Sequence, residues 1–333
     1  MPAEMSLATP APTRRDLGES RLPHPLRLVL PWGRRVLRIN HVTVLLRLSL
    51  ALELAGFIAG LCWFAIQGIG WFEVAVFFVM FLVSGLGITV GYHRLFSHRA
   101  MRARSWVRLA LGIMGAMGMQ GPILYWVSIH RKHHRYSDEA EDPHSPLPIG
   151  TGRFAAQRGA WHGFVGWIID GSFCLYPDYI KDLRRDGVVL FVDRWYPLWV
   201  AAGIVLPGVA GWAWYGTLHG FIACAFAGGP VRLFFTLTAA WYVNSVAHLF
   251  GLRPFATADD SRNSLFVNVM ALIGEGYHNN HHAFPRSAKF ALLPGQIDVG
   301  YWLVWVLERT GQIDKVIVPS ANAVPVAPEA EYQ

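Results

Sequence analysis

"SWVRLALGIMGAMGMQGPILY", residues 105–125, decides the topology of this chain. The stretch is apolar enough to enter a membrane, yet it is rich in glycine, is broken by Gly121-Pro122, and lies between two groups of histidines. On one side stand His93 and His98 in "HRLFSH"; on the other stand His130, His133 and His134 in "HRKHH". If the stretch crossed the bilayer, the two groups would end on opposite faces and could share no chemistry. It is therefore read as a helix lying at the cytoplasmic interface, which keeps both groups on one side.

The composition supports a membrane setting. Of 333 residues, 53% are hydrophobic and only 15% charged, with 14 Trp and 20 Phe, which is unlike an ordinary soluble domain. A span needs about 20 helical residues, and four stretches supply them: 48–68 with Glu53 as its lone acid, 72–92, 195–215 and 231–250. The connections 69–71 and 216–230 hold no Lys or Arg, whereas the N-terminal segment, 93–194 and the C-terminal segment hold the basic residues. By the positive-inside rule both termini and the central stretch are cytoplasmic. An integral membrane protein with four spans and a cytoplasmic central stretch is therefore expected. Residues 177–196 read as a short cap helix and turn leading into the third span.

Residues 1–35 and 316–333 read as flexible ends around one domain, 36–315. No continuous apolar core precedes the N-terminal arginines, so no secretory signal peptide is read there. The net charge of +7 could suit nucleic acid, but no basic run is interleaved with aromatics, so anionic lipid headgroups or phosphate-bearing substrates are the expected partners. Cys62, Cys174 and Cys224 are scattered, which argues against a disulfide framework and against a thiolate metal site.

A third histidine group, "HNNHH", contains His278, His281 and His282. In both HxxHH boxes the i, i+3, i+4 spacing gathers imidazoles on one helical face. One such box could be polar interface histidines; two, joined by an HxxxxH box on the same side, point to metal ligation. Eight clustered imidazoles exceed what one tetrahedral ion uses, so two ions are the economical reading. Imidazole suits Zn, Cu, Fe and Ni, which leaves the element open. Asp138, Glu139, Glu141, Asp142 and Glu275 lie close in sequence, either holding the far ring nitrogens or serving as solvated surface.

"TVGYHRLFSHRA", "HRKHHRYSDEAEDPHSP", "NSVAHLFGLRPF" and "GEGYHNNHHAFP" resemble the signature segments of membrane fatty-acyl desaturases of the stearoyl-CoA desaturase type, over about residues 40–310. The resemblance implies an all-α integral membrane fold, four transmembrane helices with a cytosolic helical cap holding a histidine-rich di-metal site, and a non-haem di-iron centre held by nine histidines: the eight above and His248, with Asn244 approaching one metal through water. Read alone, His248 is a lone histidine near a helix end. The resemblance further implies that O₂ and two electrons convert a saturated acyl chain to a cis alkene, and that Trp126 and Trp241 line the acyl tunnel. Iron fits such chemistry, because removing hydrogen from an unactivated methylene needs an oxidant made from O₂ and zinc is redox-inert.

Two departures bear on substrate. Ala240 stands where the family's tunnel wall has Thr, and Ser128-Ile129 stands where the animal acyl-CoA enzymes carry an Arg-Asp pair on the CoA nucleotide. A long-chain acyl-CoA and a Δ9 double bond are the first expectation, with an acyl lipid as the alternative. The later segment 286–316 resembles bacterial members, implying an inner-membrane location. No haem segment, CxxC or GxGxxG loop is present, so electrons come from a ferredoxin, a rubredoxin or a small haem protein with its reductase. His144 reads as support for the second box, and His24, His41, His162 and His219 receive no role. Arg99, Arg102, Arg104, Lys181, Arg184 and Arg185 read as a solvated rim. A membrane di-iron hydroxylase of alkanes or fatty acids is the nearest rival; a metal transporter would place its ligands at mid-membrane.

Overall fold

The computed structural model describes residues 27–28, 37–38, 41–169 and 175–320. Most of the expected flexible ends, together with His24 and Cys174, lies outside these residues. Arg27–Leu28 of the first end pairs antiparallel with Leu37–Arg38, just inside the expected domain, a short strand pair not expected from the sequence.

Among the described residues, four helices are long and apolar enough to cross a membrane: Arg47–Gln67, Trp71–Ser97, Tyr196–Tyr215 and Leu218–Leu249. Their outward faces are greasy, with Ile66 79% and Leu218 62% exposed. Such surface costs about 25 cal/mol per Å² in water, and lipid removes that cost. Gly68 at φ +79° turns the chain after the first span. The carboxylate of Glu73 then accepts the Gly70 N–H at 3.0 Å and starts the second.

Two span boundaries differ from the sequence reading. The second span continues past residue 92 to Ser97, because Gly87–Ser97 is π-helical. Ser97 Oγ donates to Tyr92 O at 2.8 Å and the His98 N–H to His93 O at 3.1 Å, each five residues back. The fourth span starts at Leu218, so most of 216–230, expected as a connection, is helical. Gly228-Gly229-Pro230 looks like a loop in sequence but bends a helix here, with Gly229 at φ −99°, ψ −111°. A Cβ on Gly228 would lie 2.6 Å from Pro207 of the third span, so the bend follows from close helix packing. Buried Arg232 secures it, donating to the carbonyls of Gly228 (2.9 Å), Met117 (2.7 Å) and Gly203 (3.0 Å).

The stretch 105–125 does not cross. Its helix, Ser105–Ala116, has 12 residues, roughly 18 Å long against a hydrocarbon core of about 30 Å. Its glycines serve contact with the second span: a Cβ on Gly87 would meet Gly115 N at 2.1 Å, and one on Gly91 would meet Leu111 O at 2.8 Å. The two backbones therefore touch. Met119 (φ +57°) and Gly121 (φ +99°) reverse the chain into the helix Ile123–Tyr136, which carries the second box.

Short helices complete the cap beside the C-terminal ends of the second and fourth spans. The expected helix and turn before the third span is a 3₁₀ turn, Pro177–Ile180, and a helix, Gly187–Arg194, capped by Asp186. Arg102–Ala103 pairs with Ile313–Asp314. Ile317 donates to Ala100 O and accepts from Ala288 N, both at 2.8 Å, so the chain is still pinned one residue into the tail expected to be loose from 316.

Candidate metal centre

The π-helical exit of the second span explains the HxxxxH box. Five residues make about one π turn, so His93 and His98 point to the same side, their rings 5.1 Å apart. The helix Ile123–Tyr136 brings in His130, His133 and His134; His278–Ala283 brings in the third box; His248 ends the fourth span.

The structure gathers all nine expected imidazoles, in two groups. His93, His98, His130, His134 and His281 form one; His133, His248, His278 and His282 form the other, with candidate ligand atoms in each within 4.8 Å of one another. Each HxxHH box is therefore divided. His130 and His134 go to one group and His133 to the other, while His278 and His282 face His133 and His281 crosses back.

The nitrogen spacing fits coordination. Nε2 pairs lie at 2.7 Å (His98–His130), 2.8 Å (His134–His281), 2.9 Å (His93–His281), 3.0 Å (His248–His278) and 3.4 Å (His133–His282). Ligands about 2.1 Å from one ion stand about 3 Å apart. The far nitrogens are held by carboxylates: Nδ1 of His93 by Glu275 (2.9 Å), of His133 by Asp142 (3.0 Å), of His248 by Asp138 (2.8 Å) and of His282 by Asp259 (2.7 Å). A ring that donates its Nδ1–H this way offers a bare lone pair at Nε2. His133 and His282 both do so, and their facing lone pairs repel unless a cation lies between. The donor set thus suits two nitrogen-bound metal ions.

Electrostatics agree. Burial, then the neighbouring imidazoles, pushes His98, His130, His134, His278 and His281 well below the usual histidine range, leaving them neutral. His282 falls to about 4, burial outweighing its hydrogen bond to Asp259. Burial alone would raise the Asp142 carboxyl, but His133 overrides it and holds the group well below the carboxylate range. The backbone N–H groups of Asp138 and His144 add to that hold.

Of the five acids singled out in sequence, Asp138, Asp142 and Glu275 touch the imidazoles, whereas Glu139 and Glu141 are exposed. Asp259 was not foreseen; it lies in an irregular loop, away from any box, and no spacing signals it. Thr89 supports the site from below by donating to Glu275.

A cavity opens beneath the histidines. Trp126 and Trp241 line it, as do Ala240, Asn244 and His144. The Trp126 ring stacks on His130 at 4.9 Å and donates its Nε1–H to Gln120 at 3.0 Å, while Trp241 packs edge-on against Phe164 at 5.5 Å. On the rim, Arg99 and Arg131 pair with Asp182, and Lys181 pairs with Asp178. Cys224 is buried and Cys62 exposed on its span.

Residues 69–294 match the family model described as fatty acid desaturase. The chain is 38% identical over 269 residues to a hex-5-enoyl-[acyl-carrier protein] acetylenase of Moorena producens, covering 80% of this chain and 83% of that protein. It is 32% identical to an sn-2 palmitoyl-lipid 9-desaturase of a Nostoc strain (72% and 79% covered). It is also 32% identical to an sn-1 stearoyl-lipid 9-desaturase of Anabaena variabilis (82% and 92% covered).

Proposed function

The chain belongs to the fatty acid desaturase family, and from that premise we propose that its nine gathered imidazoles hold two iron ions which drive cis-desaturation of a long acyl chain. It is an integral membrane oxidoreductase acting on fatty acyl substrates. The observation that carries the proposal is the convergence of nine imidazoles, in groups of five and four, of which His93, His130, His133 and His278 line one mostly apolar cavity.

One ion would be held by His93, His98, His130, His134 and His281, the other by His133, His248, His278 and His282, with Asn244 reaching it through water. Bound iron supplies O₂ activation and an oxidant strong enough to take hydrogen from an unactivated methylene. The overall reaction joins –CH₂–CH₂– with O₂, two electrons and two protons to give –CH=CH– and two waters. The electrons come from an external one-electron carrier, a ferredoxin, rubredoxin or small haem protein with its reductase.

This chain's own residues fix geometry. Glu275, Asp142, Asp138 and Asp259 clamp the imidazoles in one tautomer and orientation. Trp126 and Trp241 form rigid walls that confine the acyl chain beside the histidines, so position along the cavity selects the carbon. Δ9 is the proposed position, in keeping with the two 9-desaturase relatives.

For the carrier, acyl-CoA is the expectation from sequence, and two observations favour the acyl-lipid alternative. Ser128 is fully buried and Ile129 is 5% exposed, so that place offers no surface to grip a nucleotide. Both 9-desaturase relatives are named for lipid-bound chains. The basic residues of the cap and termini support a cytoplasmic site in a bacterial inner membrane.

Fatty-acid profiling by gas chromatography after expression in a host lacking unsaturated fatty acids tests the proposal. A new cis-monoene, two hydrogens lighter by mass spectrometry, is expected; a product heavier by one oxygen identifies a hydroxylase instead. Incubating the purified protein with stearoyl-CoA or stearoyl phospholipid separates the carriers.

A further inference from the structure

Two helices outside the spans carry apolar faces that nothing among the described residues covers. Leu265–Ala271, with the residue after it, exposes Leu265 (75%), Phe266, Val269, Met270 and Leu272. Val299–Arg309 exposes Trp302 (58%), Trp305 and Val306, which share one helical face. Leu206 of the third span is 53% exposed, so these side chains are as open as those that face lipid. From Asn263 to Gly274 the chain holds no Asp, Glu, Lys or Arg. Contiguous apolar surface of this kind marks a contact.

Depth identifies what covers it. Ala271 and Ile273 pack in one cluster with Ala239 of the fourth span and Leu86 of the second. Ala239 precedes the helix end at Leu249 by about 15 Å of rise. The segment therefore runs beside the spans, level with their apolar part, and Phe266 meets Tyr242 of the fourth span edge-on at 5.1 Å. Ile273 O accepts the Gly300 N–H at 3.3 Å, which ties the start of Val299–Arg309 to the same region. Just past the other end of that helix, Gln312 accepts the Nε1–H of exposed Trp106 at 3.1 Å. Arg309 lies over the Trp305 ring at 5.4 Å. Tryptophan with a long cationic side chain beside it suits the boundary between acyl chains and headgroups. Backbone in lipid must be paired, and this backbone is: Ser264 Oγ accepts the Val267 N–H at 3.4 Å, and the Leu272 N–H donates to Asn268 O at 2.9 Å.

We propose that Leu265–Leu272 and Val299–Arg309 form a membrane contact beyond the four spans, lying in the leaflet on the histidine side with their exposed side chains among lipid acyl chains. This rests on the reading of the spans, not on the reaction. The uncharged face and its continuity with the surface of the fourth span favour lipid over a soluble protein, whose docking is guided by complementary charge. On their inner side Ala271 and Ile273 line the cavity, so a single layer of protein separates that leaflet from it.

Spin labels test the placement in the full-length protein, reconstituted in phosphatidylcholine–phosphatidylglycerol liposomes. Cys62→Ala and Cys174→Ala leave only buried Cys224, and Val269→Cys and Trp305→Cys supply the labelling sites. Electron paramagnetic resonance compares collisions with O₂, which concentrates in lipid, and with a water-soluble nickel chelate. Leu206→Cys gives the lipid reference and Glu141→Cys, on the exposed cap, the water reference. Both test sites should show an O₂-to-nickel ratio several-fold above that at Glu141 and close to that at Leu206. Should either variant fail to fold, Met270→Cys and Val306→Cys read the same two faces. A ratio equal to that at Glu141 places the faces in water and overturns the proposal. A label shielded from both reagents reveals a protein neighbour, such as a second copy of this chain, and overturns it as well. A water-like ratio at Leu206 itself brings down the span reading, and the proposal with it.

Discussion

Asp259 accepts the Nδ1–H of His282 at 2.7 Å, while its other carboxylate oxygen takes the backbone N–H of Ser261 at 3.0 Å. A loop carboxylate that no box contains thus sets the orientation of an imidazole in the third box. Burial would raise this carboxyl, but the His282 hydrogen bond prevails and keeps it ionised, well below the usual carboxylate range.

Removing that hold should weaken the group that contains His282. Partners of this kind contribute 10–100-fold to metal affinity, so Asp259→Ala should retain markedly less iron after a chelator challenge, read by elemental analysis. Full retention would show that Asp259 does not orient the ring.

The division of each HxxHH box makes a sharper demand. His133→Ala and His281→Ala strike different groups, so each should abolish product. Each single variant should lose metal, and the double variant should lose more than either. Unsaturated product from both single variants would refute the ligand assignment.

Gly87 faces the backbone of Gly115 where a Cβ would approach N to 2.1 Å. Gly87→Val should force the Ser105–Ala116 helix off the second span. A cost of about 1–3 kcal/mol is expected from overpacking, seen as a lower unfolding temperature in detergent. Gly187→Ala, with open space around its Cβ, serves as control.

Arg94 and Asp298 form a buried ion pair at 2.9 Å, with side chains 0% and 2% exposed. Asp298 also accepts the N–H groups of Phe290 (2.7 Å) and Tyr301 (2.8 Å). Asp298→Ala strands the guanidinium and should cost about 3–5 kcal/mol. Thermal unfolding of the purified variant checks this, and a stability equal to wild type would contradict it.

Much of this molecule is local and so legible in one dimension. Hydropathy over about 20 residues marks a span wherever it occurs, and an i, i+3, i+4 repeat places imidazoles on one helical face whatever surrounds them. The apolar core of each of the four spans and the choice of His93, His98, His130, His133, His134, His278, His281 and His282 as candidate ligands could be read from such local patterns; His248 needed the family resemblance. The helix from Leu218 was less legible, because Gly228-Gly229-Pro230 reads as a break until Pro207 and Ile204 are seen packed against it.

What the sequence by itself determined is which residue types stand at which helical positions, and which stretches are apolar enough to cross a membrane. Only the tertiary structure decided that His133 parts from its neighbours His130 and His134, that Gly87–Ser97 widens into a π-helix, and that Asp259 rather than Glu139 or Glu141 serves an imidazole. The reason is physical: spacing along a chain fixes directions relative to one helix axis, whereas partners are chosen by how separate helices cross. Those crossings are set by contacts between residues far apart in sequence, such as Gly87 on Gly115 and Arg232 on Met117 and Gly203.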